Sequence, residues 1–326
     1  MSERKIRIGV IGVGDFGRNH VRVLHELAGA ELIGLCDADP ERARQIAAEF
    51  STDAYTDAGQ LMEQIDAACV AAPTVSHAKL ATQLLEHGVD VLVEKPMTST
   101  LAEADALIAT AKRKGRILQV GHLERFNPAV VAVKRIVARP LFFEVHRLGI
   151  FSPRSLDVDV VFDVMIHDLD ILLSLTDSPV TDVRAVGIPV LTDKVDIAHA
   201  RLEFESGCVG NLTASRVSTE RVRKLRFFQA HEYVSVDYTR QDVVRVRVVG
   251  EGAQPAIDFE KVPTQPEEPL KAELRSFLAA VRERSTPVVD GEAGRRALEL
   301  ADRVMQGILE HAKCVQPGVA AASNPR

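Results

Sequence analysis

The residues best suited to chemistry begin with Gly12-Val13-Gly14-Asp15-Phe16-Gly17, which follows the apolar run Ile6 to Ile11 and opens a helix-period segment. Glycine in these three places permits a tight turn, lets backbone approach a pyrophosphate and lets helix and strand pack closely. The helix N-terminus adds free N–H groups and partial positive charge for the anion. Asp37 ends the second apolar run, at the spacing where an acid binds the adenosine ribose hydroxyls of a dinucleotide. A carboxylate there repels a 2′-phosphate, and no Arg or Lys follows it immediately, so the pattern predicts NAD in preference to NADP.

Glu94-Lys95-Pro96 comes directly after the run Val89 to Val93, at the carboxyl edge where open α/β sheets bind ligands. A lysine at a strand end is ordinarily a solvated loop residue. Here a proline restricts the backbone, and the glycine turn lies on the same edge. In Asp163-Val164-Met165-Ile166-His167-Asp168-Leu169-Asp170, Asp163 and His167 share a helical face, with Asp170 one turn on in a helix that is otherwise apolar.

Oxidising a secondary alcohol removes a hydride and a proton; a nicotinamide takes only the hydride, so a base must reach the hydroxyl. His167, with an unperturbed pKa of about 6.5, suits that role near neutrality. Lys95 would hold the hydroxyl and stabilise developing negative charge, sharing the proton if burial lowers its pKa. Asp163 either binds a neighbouring hydroxyl or steers the imidazole. A metal site built from His167, Asp168 or Asp170 lacks further matching ligands, so no metal is expected.

These residues need a scaffold, and the first 120 residues supply an alternation of short apolar runs with helix-period segments. The runs are Ile6 to Ile11, Leu32 to Cys36, Ala67 to Ala72, Val89 to Val93 and Ile117 to Val120. Candidate helices lie between them at Arg18 to Ala28, Pro40 to Phe50, Ser76 to His87 and Leu101 to Lys114. This is the pattern of an α/β Rossmann domain, a doubly wound parallel sheet buried on both faces.

After about residue 140 the texture becomes strand-like. It is interrupted by a helix at Val161 to Leu175 and closed by helices at Pro269 to Arg284 and Gly291 to Lys313. The strand spacing predicts an α+β domain with a large, open, mostly antiparallel sheet. The expected division is 1–122 for nucleotide binding, 123–316 for substrate binding and oligomerisation, and 317–326 as a frayed tail.

Composition narrows the function. A chain of 326 residues exceeds the usual single core, and a net charge of -6 argues against nucleic acid as a partner. Cys36, Cys69, Cys208 and Cys314 form no CxxC pair and read as reduced packing residues. The N-terminal apolar stretch is too short for a membrane span and lacks a cleavage pattern, so no membrane association and a cytoplasmic location are expected.

Taken in order, GVGDFGRNH, Asp37, AAPTVSH, EKP and DVMIHDLD resemble the Gfo/Idh/MocA oxidoreductases across nearly the whole chain. The resemblance implies that Lys95 and His167 flank a nicotinamide. It also implies cofactor contacts from Gly12, Gly14, Asp15, Phe16, Gly17, Asp37, Ala72, Pro73, Thr74, His77, Glu94 and Lys95, and a homodimer or homotetramer.

The segment GHLERFNP, from Gly121, and the later Thr213-Ala214-Ser215-Arg216 resemble a narrower branch that oxidises UDP-N-acetylglucosamine at C3. A diphosphate needs cationic partners, and Arg125, Arg147, Arg154 and Arg216 are candidates, with Asn127, Asp163 and His167 as further substrate contacts. The alternatives are a dehydrogenase or reductase of a free sugar, polyol or inositol, and a non-catalytic sensor that binds the cofactor. Binding alone requires neither Lys95 nor His167, which favours an enzyme.

Overall fold

The computed structural model describes residues 4–152, 158–250 and 256–319. The chain divides into two compact units, Met1–Phe126 with Glu267–Arg295, and Asn127–Pro266 with Arg296–Arg326.

The first unit runs β1 (Ile6–Ile11), α1 (Asp15–Glu26), β2 (Ala30–Cys36), α2 (Pro40–Phe50), β3 (Asp53–Tyr55), α3 (Ala58–Met62), β4 (Ala67–Val70), α4 (Thr74–His87), β5 (Asp90–Glu94), α5 (Leu101–Lys114) and β6 (Leu118–Gly121), then a 3-10 turn at Leu123–Phe126. Its six strands lie in the order β3-β2-β1-β4-β5-β6, and every pairing is parallel. Every residue of β4 and β5 is buried, as expected when helices cover both faces of a parallel sheet.

Local chemistry sets the helix ends. Asp39 caps α2 with proline in its first turn, and Thr100 and Glu103 form a reciprocal capping box on α5, which stops at Gly115 in the left-handed region.

The second unit contains α6 (Pro128–Ile136), β7 (Phe142–Leu148), a π turn at Val161–Met165 leading directly into α7 (Ile166–Thr176), then β8 (Val180–Ile188), β9 (Ile197–Phe204), β10 (Val209–Ser215), β11 (Val222–Gln229), β12 (Glu232–Asp237), β13 (Asp242–Val249) and β14 (Ala256–Val262). The strands form one sheet in the order β14-β13-β12-β11-β7-β10-β9-β8. Only β7 and β10 pair in parallel; the other neighbours are antiparallel.

One face of that sheet, including Phe143, Val145, Leu212 and Phe227, packs against Ile166, Leu169 and Leu172. On the opposite face the register aligns Val209, Phe142, Phe228, Tyr233, Val246 and Phe259 in one row across the strands.

The last helices are α8 (Pro269–Glu283) and α9 (Gly291–Val319). The expectation of a second domain continuous from 123 to 316 needs correction. Leu270, Leu274, Phe277 and Leu278 of α8 join the core of the first unit beside Val10, Leu24 and Leu92, and the division falls within α9. Apolar periodicity shows that α8 buries a face; it does not show which sheet receives it. Of the expected tail, helix continues to Val319 and 320–326 lie outside the described residues.

Candidate functional site

The glycine turn sits at the carboxyl end of β1, and each glycine has its own constraint. Gly12 has φ +85°, and a Cβ there would stand 2.5 Å from the Ala72 nitrogen. A Cβ on Gly17 would stand 1.9 Å from the Gly12 oxygen, whereas one on Gly14 would meet nothing within 4 Å. The first and last glycines are thus required by the protein itself, and the middle one leaves open the approach that a pyrophosphate needs. Gly14 is the N-cap of α1 and no side chain caps it, so the helix can offer its first N–H groups to an anion.

Asp37 follows β2 and is 8% exposed. One carboxylate oxygen accepts the Val13 N–H at 2.8 Å; the other accepts from Asp39 N–H at 2.9 Å and from Arg42 at 3.2 Å. Asp37 is marked by its place at a strand end, whereas Arg42, five residues on, is brought back to it by the first turn of α2. Burial beside Asp37 pushes the Cys36 thiol up to about 11, which suits an inert packing residue.

Ala72, Pro73 and Thr74 form the turn from β4 into α4. His77, one turn into α4, is 1% exposed, and its ring nitrogens lie 2.7 Å from the Ala72 carbonyl and 2.9 Å from the Pro96 carbonyl. Both neighbours are backbone carbonyls, so a neutral imidazole donates to one of them at a time. His77 clasps the β4 turn to the loop carrying Lys95.

At the end of β5, Glu94 is buried and Lys95 half-buried, and the Lys95–Pro96 peptide is cis. Glu94 bonds His20 of α1 at 2.9 Å and accepts the Lys95 N–H at 3.3 Å. Its carboxylate is therefore engaged inside the protein, and it orients the lysine loop. Asp15 and Phe16 sit at the exposed start of α1, with the Phe16 ring edge-on to His20.

In the second unit, Asp163 lies within the π turn and His167 in the first turn of α7, both half-buried. The regular helix expected from Val161 is wound wider by an N–H from Ile166 to the Val161 carbonyl. A five-residue step like this re-aims side chains relative to an α-helix and recurs at functional sites; no single residue type announces it.

Three of the proposed substrate contacts are occupied structurally. Arg147 makes a two-pronged ion pair with buried Asp168 at 2.7 and 2.8 Å and lies over the Tyr238 ring. Arg216 binds Asp196 at 2.7 Å, the Val158 carbonyl at 2.6 Å and Thr192 at 3.0 Å. Asn127 caps α6 and donates to the Tyr238 carbonyl at 3.1 Å. The physical reason is shared: a buried guanidinium or amide must be paired, and these find partners within the fold. Arg125 lies half-buried in the 3-10 turn, and Arg154 lies outside the described residues. Among the described residues, no cluster of three or more His, Cys, Asp or Glu is arranged to hold a metal ion.

A parallel sheet in this order, with an uncapped glycine turn, a buried acid after the second strand and a lysine loop on one edge, is the arrangement of a dinucleotide-binding oxidoreductase. Comparison with known families agrees. Residues 6–122 match the model of an oxidoreductase family with an NAD-binding Rossmann fold, and residues 141–253 match the GFO/IDH/MocA C-terminal domain. The chain belongs to the GFO/IDH/MocA family of NAD-dependent oxidoreductases.

A UDP-N-acetylglucosamine 3-dehydrogenase from Acidithiobacillus ferrooxidans is 39% identical over 92% of this chain and 96% of its own length. Its solved structure superposes with a TM-score of 0.87, covering 94% of this chain and 98% of that one at 37% identity. A scyllo-inositol 2-dehydrogenase (NAD(+)) from Bacillus subtilis is 28% identical over 88% of this chain and 89% of its own. A levoglucosan dehydrogenase solved with NADH and levoglucosan, at 18% identity and a TM-score of 0.85, shares the fold.

Proposed function

We propose that this protein oxidises a secondary hydroxyl of a nucleotide sugar, C3 of UDP-N-acetylglucosamine or a close relative, with NAD as acceptor. The observation that carries the substrate is the 39% identity to a UDP-N-acetylglucosamine 3-dehydrogenase over 96% of that relative. The arginines expected to meet the diphosphate do not carry the substrate reading, since Arg147 and Arg216 are bound within the fold.

NAD, when bound, accepts the hydride. Gly12 to Gly17 and the start of α1 hold its pyrophosphate, Asp37 its ribose, and the Ala72–Pro73–Thr74 turn lines its path. His167 takes the hydroxyl proton; Lys95 holds the hydroxyl and stabilises the developing alkoxide. Asp163 binds a neighbouring hydroxyl or orients His167.

The test is to mix purified protein with NAD and UDP-N-acetylglucosamine and follow reduced-nicotinamide absorbance. Lys95→Ala and His167→Ala should each lose turnover by at least about 100-fold, the usual reach of a general acid or base, while still binding NAD. Turnover of inositols or free sugars without the nucleotide sugar would replace this substrate with a polyol. NAD binding without turnover of any member of the panel would leave a sensor.

The aromatic row on the open sheet face suits a second copy of this chain, in a homodimer or homotetramer. Phe259 is 73% exposed and Ile257 65%, and an apolar sheet face of this kind is ordinarily covered. Light scattering on the wild type and on Phe259→Glu tests it; a monomeric wild type refutes it. Free cysteines, three of them buried, suit a reducing cytoplasm, and no described helix is long and apolar enough to cross a membrane.

A further inference from the structure

The π turn carries Asp163 and leads into His167, and its entry is held by residues far along the chain. Arg216, directly after β10, is 7% exposed. Its guanidinium donates to the Asp196 carboxylate at 2.7 Å, to the Thr192 hydroxyl at 3.0 Å and to the Val158 carbonyl at 2.6 Å. Asp196 is fully buried and accepts the N–H groups of Val190, Leu191 and Thr192 at 2.8, 2.7 and 2.9 Å. The loop between β8 and β9 is thus wrapped round one carboxylate and fastened to Arg216.

That loop meets the start of the π turn at Val195. The Val195 carbonyl accepts the Val160 N–H at 2.9 Å, and the Val195 N–H donates to Asp159 Oδ1 at 2.8 Å. Gly187 of β8 leaves the room that Val195 occupies: a Cβ there would stand 2.7 Å from the Val195 side chain. On its other side Asp159 belongs to the helical winding, since its carbonyl accepts the N–H groups of Phe162 and Asp163, each at 3.1 Å. Asp159 therefore joins the loop through its side chain to the first turn through its backbone.

A π turn takes a wider step than the α-helix it leads into, here from Ile166 to the Val161 carbonyl. Where the preceding residues are held decides where that step falls, and so where Asp163 and His167 point.

We propose that Asp159 is a positioning residue for Asp163 and His167: by accepting the Val195 N–H it fixes the point at which the π turn begins, while Arg216 and Asp196 hold the loop to which it is fixed. This rests on the reading of His167 as the base. Asp159 lies four residues before Asp163 and eight before His167, outside DVMIHDLD. The contact uses one carboxylate oxygen as an acceptor, so the role survives loss of the charge and fails with loss of the acceptor.

The test compares Asp159→Asn, which keeps an acceptor oxygen, with Asp159→Ala, which removes it, using NAD and UDP-N-acetylglucosamine. Asp159→Ala should lose kcat by about 10–100-fold, as a displacement of reacting groups by about 1 Å does, while its Kd for NAD stays within about twofold of wild type. Asp159→Asn should keep kcat within about threefold. Should Asp159→Ala melt below the assay temperature, Asp159→Glu, which keeps the acceptor but moves it by one methylene, should lose kcat by about tenfold. The imidazole C–H resonance of His167, assigned by its absence from His167→Ala, should shift in Asp159→Ala and return to its wild-type position in Asp159→Asn, a readout that needs no turnover.

Unchanged kcat in a folded Asp159→Ala overturns the proposal. So does an Asp159→Asn enzyme as impaired as Asp159→Ala, or a His167 resonance that stays in place in both. A His167→Ala enzyme that turns over normally refutes the catalytic reading of His167, and a wild type inert toward this sugar refutes the substrate reading; in either case the resonance comparison still reports whether Asp159 sets the imidazole.

Discussion

The carboxylate of Asp37 accepts the backbone N–H of Val13 at 2.8 Å, so the end of β2 holds the middle of the glycine turn in place. Asp37 is therefore a structural anchor as well as the acid expected to meet ribose, and Arg42 is tethered to it. Asp37→Ala should leave the Val13 N–H without its acceptor, at a cost of about 1–3 kcal/mol. It should also release Arg42 toward a 2′-phosphate, shifting the NAD to NADP preference at least tenfold toward NADP. Calorimetric Kd values for both nucleotides check this; an unchanged ratio sinks the specificity argument.

The glycines of the turn should separate folding from binding. Gly17→Ala places a methyl 1.9 Å from the Gly12 oxygen, so it should destabilise the protein by about 2–4 kcal/mol, as overpacking against rigid backbone does. Gly14→Ala meets nothing within 4 Å and should leave the melting temperature nearly unchanged. Its Kd for NAD should nonetheless rise about 10–100-fold, or about 1.4–2.7 kcal/mol, because the methyl takes the approach reserved for pyrophosphate. Thermal melts with and without NAD distinguish the two effects.

Arg147 and Asp168 form a buried, two-pronged ion pair beside His167. Removing one partner strands a charge, so Arg147→Met should lower stability in urea by about 3–5 kcal/mol. The double variant Arg147→Met with Asp168→Leu should recover much of that loss. Equal losses in single and double variants would mean that the guanidinium matters mainly for packing over Tyr238.

Asp196 supplies the pH dependence. Burial opposes its ionisation, but the N–H groups of Val190 and Leu191 and the Arg216 guanidinium overcome this and hold the carboxyl well below the usual range. A depressed folded-state pKa contributes stability above the unfolded pKa of about 3.9 and loses it as pH falls toward the folded value. Asp196→Asn should therefore be less stable than wild type at pH 7, and the gap should narrow as pH is lowered below about 4. A gap that is constant from pH 7 into that acid range would mean that shape, and not charge, is what Asp196 contributes.

By itself the sequence determined the parallel αβ unit, the glycine turn, Asp37 and the position of Lys95 at a strand end. These depend on local periodicity and short motifs, whose physics is contained within a few residues. The three-residue strand β3 and the π turn before α7 carry no such local pattern, whereas α6 does, in the Asn127 cap and the proline that follows it. Tertiary structure alone decided which polar residues are occupied. Arg147, Arg216, Asn127 and His77 read as ligand contacts because each is polar and near a motif, yet each meets a partner distant in the chain or a backbone carbonyl. It also decided that α8 returns to the first unit, where Leu274 and Phe277 pack beside Leu92. Pairing of buried polar groups is a long-range constraint, satisfied by whichever segments folding brings together, and sequence spacing does not encode it.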